Sequence, residues 1–501
     1  MAHTAGCPIA VIDIGSNSGR VVVVELTPEG HLAIVADARS PLRLARDVAQ
    51  SGRLGTAAIE RTIQALRDFQ AVARGAGAER VAAVATAAVR TAEDRDDLVA
   101  RIREETGLEV DVIDGVTEAS YAFLGAVHGL PVEHGLLVDM GGGSMDLSRF
   151  RDRRLIRSWS LPLGALLLSD RFLISDPPEN DEVDKLRVHV EKALGDAGVP
   201  ALAEDEQLVG TGGTIRNLAS IDERRHRYSI PHLHGYRLSR DRLDETVSLL
   251  VGRRRSKRRT TPGLNADRVD SILGGAIAVQ ELVAFSGGPD VTISGQGLRE
   301  GVALSLLREP DAALVQMRTA SVDALCARFS TWSRGRAVRR AGAVGTLLDA
   351  LAPEATAEAR ALVGYAASIL DLGRSIDYYE RHRHAADVVL AADLAGFSHS
   401  DLAFVAEVLR HAGGERPSKA FRPLLSKEQR AEISQAGVIL ALADEIERRT
   451  PPGLPVVVSC RIEAKEAVVA SPVITAWRPR DAADRFAGAF HRKLVVDRTA
   501  P

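Results

Sequence analysis

Residues 11–26, VIDIGSNSGRVVVVEL, and residues 135–150, GLLVDMGGGSMDLSRF, decide the fold of this chain. Each stretch is an apolar strand that reaches an aspartate, turns through glycine and serine, and continues into a second extended segment. One offset of 126 positions, the difference between 13 and 139, relates Asp13 to Asp139, Gly15 to Gly141 and Ser18 to Ser144. This shared offset predicts an internal duplication, and the alternative is a chance match between two glycine-rich turns.

Strand-like and helix-like segments alternate around these stretches. PIAVIDIG, RVVVVEL and HLAIVADA predict strands that open with a hairpin. A helix over about 57–75, the strand VAAVAT, a helix over about 94–105 and the strand LEVDVID follow. Such alternation is typical of an α/β lobe, and the second stretch begins another.

The sequence changes character near Met317, where Ala, Leu and Arg begin to recur at helical spacing as far as Arg449. PPGLPVVVSCRIEAKEAVVAS and HRKLVVD then restore β character after a Pro- and Gly-rich linker. We therefore expect two α/β lobes at residues 1–128 and 129–307, an all-helical domain at 308–450 and a small α+β unit at 451–501.

Composition excludes several classes of protein. The formal net charge of −3 over 501 residues leaves no overall basic stripe for nucleic-acid binding. Three isolated cysteines, Cys7, Cys326 and Cys460, argue against a disulfide framework or a thiolate zinc site. No leader pattern and no apolar run of roughly 20 residues is present, so we expect a cytoplasmic chain without a membrane partner.

Three strand-ending loops, at residues 13–18, 139–144 and 210–214, carry the candidate chemistry. Their glycines allow successive backbone amides to point one way, which makes a nest for phosphate oxygens. A tight turn between strands is the alternative for any one loop. Hydroxyl and amide side chains add donors at Ser16, Asn17, Ser18, Ser144, Thr211 and Thr214. Neither a P-loop nor a dinucleotide-binding glycine motif occurs.

The aspartates of these loops need an explanation, because a carboxylate repels phosphate unless a cation or proton lies between them. Asp13 and Asp139 at strand ends, together with Asp146, are candidates to hold Mg²⁺, which prefers carboxylate and phosphate oxygens, and Mn²⁺ is the alternative ion. A turn or helix-capping carboxylate is the other interpretation, and it applies most readily to Asp146.

Eight motifs occur in the order found in the exopolyphosphatase and guanosine pentaphosphate phosphohydrolase family. They are VIDIGSNSGR, ATAAVRTAED, VIDGVTEASYAFLGAV, LLVDMGGGSMDL, LPLGALLL, LVGTGGTIRNLA, PGLNADRVDSILGGA and SGQGLREGVAL. The sequence therefore resembles this Ppx/GppA family over residues 8 to about 305. The resemblance implies two actin-like lobes with duplicated ribonuclease-H-like cores, as in the sugar kinase and heat-shock ATPase superfamily.

The resemblance also implies a phosphoric anhydride hydrolase that releases terminal phosphate from inorganic polyphosphate, as a homodimer. Conversion of guanosine pentaphosphate to the tetraphosphate is the alternative within this chemistry. A non-catalytic sensor of alarmones or nucleotides, and a kinase of the same superfamily, are alternatives from other classes.

By this resemblance, Glu118 corresponds to the catalytic glutamate that orients the attacking water, and Asp139 to a second essential acid that holds metal. Asp146 stands where the family usually has glutamate, and Thr117 where it often has another, which keeps the sensor alternative open. The phosphate-binding residues that follow from the loops and motifs are Ser16, Asn17, Ser18, Arg20, Thr86, Arg90, Gly141, Gly142, Gly143, Ser144, Gly212, Gly213, Thr214 and Arg299.

Two further features lie outside these loops. The basic run at residues 253–259 either steers a polyanion or forms a solvated loop. The helical region resembles an HD-like domain, but Leu370 precedes Asp371 where an HD metalloenzyme has histidine. Because leucine cannot ligate a metal, we expect no second phosphohydrolase centre there, and we expect His382, His384 and His411 to be packing or surface residues.

Overall fold

The computed structural model describes residues 6–307, 313–474, 476–477 and 480–497. The chain forms two compact units. The first contains the chain to Tyr228 together with His232–Met317, and the second contains Ser229–Pro231 and the chain from Arg318. Each unit is described by itself below.

Two sheets form the frame of the first unit. The strands are β1 Ile9–Ile14, β2 Ser18–Leu26, β3 Leu32–Pro41, β4 Arg80–Ala85, β5 Val110–Val112, β6 Gly135–Met140, β7 Met145–Arg151, β8 Arg154–Leu161, β9 Gln207–Thr211, β10 Arg237–Ser239 and β11 Asp290–Ile293. The first sheet has the order β3-β2-β1-β4-β5, and the second has the order β10-β11-β9-β6-β7-β8.

The two sheets repeat one topology. In the first, β1 pairs antiparallel with β2 and parallel with β4; in the second, β6 pairs antiparallel with β7 and parallel with β9. Asp13 lies opposite Arg20 in its hairpin, and Asp139 lies opposite Asp146 in the equivalent register. The predicted duplication is therefore confirmed, and the two copies differ in charge at this hairpin position.

Helices cover both faces of these sheets, which explains why β1 is apolar on both sides: Ile9, Ala10, Val11, Ile12 and Ile14 are all buried. Burying one such aliphatic side chain stabilises the fold by roughly 1.5–3 kcal/mol. The helices are α1 Leu44–Ser51, α2 Gly55–Gly75, α3 Ala87–Thr91, α4 Arg95–Thr106, α5 Gly115–Val127, α6 Ala165–Phe172, α7 Asn180–Asp196, α8 Gly212–His226, α9 Arg240–Val251, α10 Arg255–Arg258, α11 Ile272–Ser286 and α12 Leu298–Leu307, with a 3-10 turn at Ala266–Arg268.

The second unit is helical and ends in a small sheet. Its helices are α13 Leu314–Ala327, which spans the division between the units, α14 Arg334–Leu351, α15 Ala357–Ile369, α16 Arg381–Ala391, α17 His399–Ala412, α18 Lys427–Arg449 and α19 Arg480–Phe490, with 3-10 turns at Leu370–Ser375 and Lys419–Leu424. Strands β12 Ser459–Ile462, β13 Glu466–Ala470 and β14 Lys493–Asp497 form a sheet in the order β12-β13-β14. The expected helical region and C-terminal β unit are confirmed.

The expected domain boundaries stay predictions. Residues 308–312, where the helical domain is expected to begin, lie outside the described residues, as do 475, 478–479 and 498–501 of the expected C-terminal unit. Among the helices that the structure describes, none combines the length and apolar character needed to cross a membrane.

Candidate active site

A pocket of about 130 Å³ lies where the strand-ending loops of the two sheets meet. Of the predicted site residues it is lined by Asp13, Ser16, Asn17, Ser18, Arg20, Thr86, Glu118, Asp139, Gly141, Gly142, Gly143, Ser144, Asp146, Gly212, Gly213 and Arg299. The two duplicated loops lie close together across this pocket. A Cβ atom built on Gly142 would lie 3.4 Å from the Cβ of Asn17, and one built on Gly143 would lie 3.6 Å from Ser16 Oγ.

Asp13 and Asp139 lie at the ends of buried strands and form no ion pair in the described part of the chain. Burial raises the pKa of Asp13 to about 6, and burial together with the nearby Asp146 raises the pKa of Asp139 to about 6. The Oδ1 atom of Asp13 is buried and accepts no hydrogen bond within the described part of the chain. The nearby arginines lower both pKa values but do not outweigh burial.

Glu118 lies in the first turn of α5, whose N-cap Asp114 accepts a hydrogen bond from the Thr117 amide at 2.7 Å. Burial raises the pKa of Glu118 to about 7, although Arg90 opposes this shift. Arg90 Nη1 donates to Glu118 Oε2 at 2.8 Å and to the carbonyl of Ile113 at 2.8 Å. The carboxylate is thus fixed in orientation and titrates near neutral pH.

Asp146 is oriented by two hydroxyl groups. Ser144 Oγ donates to its Oδ2 at 2.8 Å, and Ser160 Oγ donates to its Oδ1. Burial raises the pKa of Asp146 even though both hydrogen bonds lower it. The shorter aspartate side chain is thus directed into the pocket by serines on either side.

Arginines face these acids. Arg20, Arg216, Arg268 and Arg299 line the pocket. Burial, followed by repulsion from neighbouring arginines, lowers the pKa of Arg20 to about 9 and that of Arg268 to about 10. Arg20 and Arg268 form no ion pair and donate no side-chain hydrogen bond within the described residues. Arg299, in contrast, lies 3.6 Å from Glu300. Since a buried cation is normally paired, the buried Arg268 in particular is left to bind an anion.

Two predicted residues lie outside the pocket lining. Arg90 does not line the pocket itself but donates a hydrogen bond to the carboxylate of Glu118, which does. Thr214 is fully buried on α8, and its Oγ1 has no hydrogen-bond partner among the described residues. The structure thus places the Thr214 side chain away from the pocket, and a phosphate contact by Thr214 stays a prediction.

Three charged pocket residues were not singled out from the sequence: Arg216, Arg268 and Glu300. Arg216 lies one helical turn after Gly212, and Arg268 lies inside PGLNADRVDSILGGA, so both had a local signal. Gly213 makes room for Arg268, because a Cβ atom there would lie 2.0 Å from its Nη2. Glu300 is buried and accepts a hydrogen bond from the Gly297 amide at 2.7 Å.

The donor set fits a magnesium or manganese ion. No three Asp, Glu, His or Cys side chains in the described ranges converge into a closed metal site. Magnesium is commonly held by one or two carboxylates with substrate phosphates and water completing its shell. The unpartnered Oδ1 of Asp13 and the carboxylates with raised pKa are suitable oxygen donors for such an ion.

Comparisons with known proteins agree with this geometry. The profile of the Ppx/GppA phosphatase family matches residues 22–309. The chain belongs to the Ppx/GppA phosphatase family. A second profile, Ppx/GppA phosphatase domain III, matches residues 317–467, which covers most of the helical region. As a member of this phosphatase family the chain is a hydrolase, which confirms the enzyme class expected from the sequence.

Individual relatives support the same assignment. The chain is 30% identical to "Exopolyphosphatase 1" of Mycobacterium leprae over 318 residues, which are 62% of this chain and 92% of the relative. It is 32% identical to "Exopolyphosphatase 2" of Mycobacterium tuberculosis over 60% of this chain and 98% of the relative. The crystal structure of the Aquifex aeolicus Ppx/GppA family member aligns with a TM-score of 0.54 at 30% identity, over 61% of this chain and 99% of that chain. The expected actin-like fold class is confirmed.

The basic run at residues 253–259 is partly used for structure. Arg258 is buried and contacts Asp176 at 3.3 Å, and Arg255 pairs with Asp270 at 2.5 Å. These contacts favour the structural interpretation for two of its cations. A steering role for the remaining exposed ones stays a prediction.

Proposed function

We propose that this chain is an exopolyphosphatase, which releases the terminal orthophosphate of inorganic polyphosphate. The observation that carries the proposal is a pocket in which Arg20 and Arg268, which form no ion pair within the described residues, face a group of carboxylates with raised pKa. A polyphosphate chain can bind several arginines through its successive phosphates. Release of its terminal phosphate needs an activated water. The names of the mycobacterial relatives support polyphosphate as the substrate.

The arginines supply binding and charge neutralisation. Four guanidinium groups line the pocket, more than one orthophosphate group would engage, so the pocket favours a substrate with several adjacent phosphates. Because burial and then repulsion from neighbouring arginines lower the pKa values of Arg20 and Arg268, a polyanion relieves an electrostatic cost already present in the folded chain. Amides of the two glycine-rich loops add donors for the terminal phosphoryl oxygens.

Glu118 supplies the base. Its pKa of about 7 leaves it largely ionised just above neutral pH while it is still able to accept a proton. Arg90 holds the carboxylate so that one oxygen can accept a hydrogen bond from water and orient it in line with the leaving phosphate. For a loose phosphoryl transition state, this positioning together with charge neutralisation provides most of the acceleration.

Asp13, Asp139 and Asp146 are the residues that would hold the divalent cation. When bound, the ion would neutralise the charge on the phosphate oxygens and reduce repulsion from these carboxylates. Assembly as a homodimer and cytoplasmic location stay predictions.

The test measures phosphate release from long-chain polyphosphate, tripolyphosphate and guanosine pentaphosphate side by side, with Mg²⁺, Mn²⁺ or EDTA. We expect the highest kcat/KM on polyphosphate. Glu118→Gln should lower kcat by at least about 10³-fold and change polyphosphate binding less than about threefold. Glu109→Gln, at an exposed glutamate of the same lobe, is the matched control and should behave as the wild type.

Three other results would contradict parts of this proposal. Preference for guanosine pentaphosphate would replace polyphosphate by the alarmone as substrate. Tight binding without release by the wild type, with either ion, would identify a sensor. Full turnover by Glu118→Gln would remove Glu118 from the mechanism.

A further inference from the structure

Gly164 begins α6 directly behind the glycine loop at residues 141–143. A Cβ atom built on Gly164 would lie 2.2 Å from the carbonyl carbon of Gly143 and 2.4 Å from the carbonyl oxygen of Gly142. Its backbone dihedrals, φ −68° and ψ 142°, are open to every amino acid. Glycine is therefore required at this position for space and not for backbone conformation.

The first turn of α6 binds the loop through its carbonyl groups. The Ala165 amide donates to the Gly141 carbonyl at 3.0 Å, and the Leu166 amide donates to the Gly142 carbonyl at 3.1 Å. In a planar trans peptide the N–H of the next residue points opposite to the carbonyl. The amides of Gly142 and Gly143 are thereby directed away from α6.

These two amides are free to bind a ligand. Gly142 and Gly143 both line the pocket, and their N–H groups donate no hydrogen bond within the described residues. Two parallel amide donors beside a glycine turn are suited to the oxygens of one phosphate group. The close approach that Gly164 permits therefore determines where these donors point.

The first lobe uses a similar arrangement. The Ala45 amide, in the first turn of α1, donates to the Ser16 carbonyl at 2.8 Å. Ser16 and Gly142 occupy equivalent positions of the duplicated loops, related by the offset that relates Asp13 to Asp139. A loop carbonyl held by the start of a short helix thus recurs at equivalent positions in both copies of the core.

We infer that Gly164 is a positioning residue for phosphate recognition. By lacking a side chain it lets α6 hold residues 141–143 so that the amides of Gly142 and Gly143 grip the terminal phosphoryl group. The inference rests on the proposed function for the identity of the substrate, but it concerns anion binding, which can be measured without turnover.

The test is Gly164→Ala, whose effect is steric because alanine tolerates these dihedrals. Binding of inorganic tripolyphosphate is measured by calorimetry in EDTA, where no metal supports turnover, and polyphosphate kinetics are measured with Mg²⁺. We expect at least tenfold weaker tripolyphosphate binding and a KM for polyphosphate raised by at least tenfold. Gly195→Ala is the matched glycine control, since a Cβ atom there meets no atom within 4 Å.

A second variant separates loop geometry from loss of stability. Leu163→Ala removes a fully buried side chain next to Gly164, so it should lower Tm while leaving tripolyphosphate binding by the folded protein within about twofold. Wild-type affinity in Gly164→Ala, or an equal loss of affinity in Leu163→Ala, overturns the inference. If the wild type binds tripolyphosphate but releases no phosphate, the proposed function fails while the inference about Gly164 is still decided by the binding data.

Discussion

In the first unit, Arg20 and Arg268 line a pocket without forming an ion pair in the described part of the chain, whereas in the second unit a fully buried arginine is enclosed by acids. That arginine, Arg340, contacts Asp371 at 2.7 Å, Asp444 at 3.0 Å and Glu447 at 3.7 Å. Arg336, Arg339 and Arg381 complete the second cluster. The first unit thus contains arginines without an ion-pair partner among the described residues, whereas the buried arginine of the second unit is neutralised by acids of the same unit.

The pKa shifts of the two clusters have opposite signs. Burial raises the pKa of Glu118 to about 7, because Arg90 compensates it only in part. Burial acts in the same direction on Asp444, but Arg340 and Arg381 outweigh it and lower the pKa of Asp444 to about 2. Buried charges that the protein does not neutralise indicate a ligand, whereas neutralised ones indicate structure.

The comparison also explains the degenerate motif of the helical region. Asp371 follows the buried Leu370, and Arg336 and Arg340 both contact its Oδ2. Against the effect of burial, Arg340 and Arg336 hold the pKa of Asp371 below its usual value. Asp371, the acid retained from the HD-like pattern, therefore forms ion pairs with arginines.

The largest expected effect comes from removing one arginine in each cluster. Arg340→Met should destabilise the chain by roughly 3 kcal/mol, because it leaves buried carboxylates with fewer partners. Arg268→Met should leave the free energy of unfolding within about 1 kcal/mol and lower kcat/KM on polyphosphate by at least about tenfold. Urea unfolding and steady-state kinetics measure the two quantities.

Arg334→Met, an exposed position on the same helix as Arg340, is the control for the first change and should cost less than about 1 kcal/mol. The comparison breaks if Arg268→Met destabilises the chain as much as Arg340→Met does.

A smaller effect is expected from neutralising an acid of the pocket. In EDTA at pH 8, Asp139→Asn should stabilise the chain by up to about 3 kcal/mol, since the pKa of Asp139 is raised from 3.8 to about 6 and each pKa unit corresponds to about 1.4 kcal/mol. The folded-state pKa of about 6 lies above the ordinary 3.8, so the cost of the carboxylate is absent below pH 4 and fully present above pH 6. Phosphate release should fall at the same time by orders of magnitude.

Asp205→Asn, at an exposed aspartate that pairs with Arg151, should give no stabilisation at either pH. A stabilisation of Asp139→Asn that persists unchanged at pH 4 would contradict the electrostatic explanation.

The smallest effect concerns the pH profile. With Glu118 as the base, kcat/KM should fall as pH drops below about 7. Arg90 lowers the pKa of Glu118, so Arg90→Met should move this acid limb upward by about one pH unit. Arg103→Met, at an exposed arginine of the same lobe, should not move the limb. A limb that stays in place in Arg90→Met would show that another group titrates.

Much of the site could be predicted because its loops are local features of the sequence. Asp13 and Asp139 follow apolar strands, and the glycines after them mark turns that can be recognised from neighbouring residues alone. Arg216 and Arg268 were missed because a single arginine on a helix or turn resembles a surface residue until its burial is known. The sequence also did not show which side of α8 Thr214 occupies, and the structure buries its side chain.

The sequence by itself determined the duplicated hairpins, the change to helices near Met317 and the order of the family motifs, because periodicity and turn residues act over a few neighbouring positions. Only the tertiary structure decided which charges are paired. Arg20, Arg268 and Arg299 come from distant segments and meet in one pocket, where Arg299 pairs with Glu300 while Arg20 and Arg268 form no ion pair within the described residues; Arg340 meets three acids. Pairing depends on distances across the fold, and no local pattern encodes these distances.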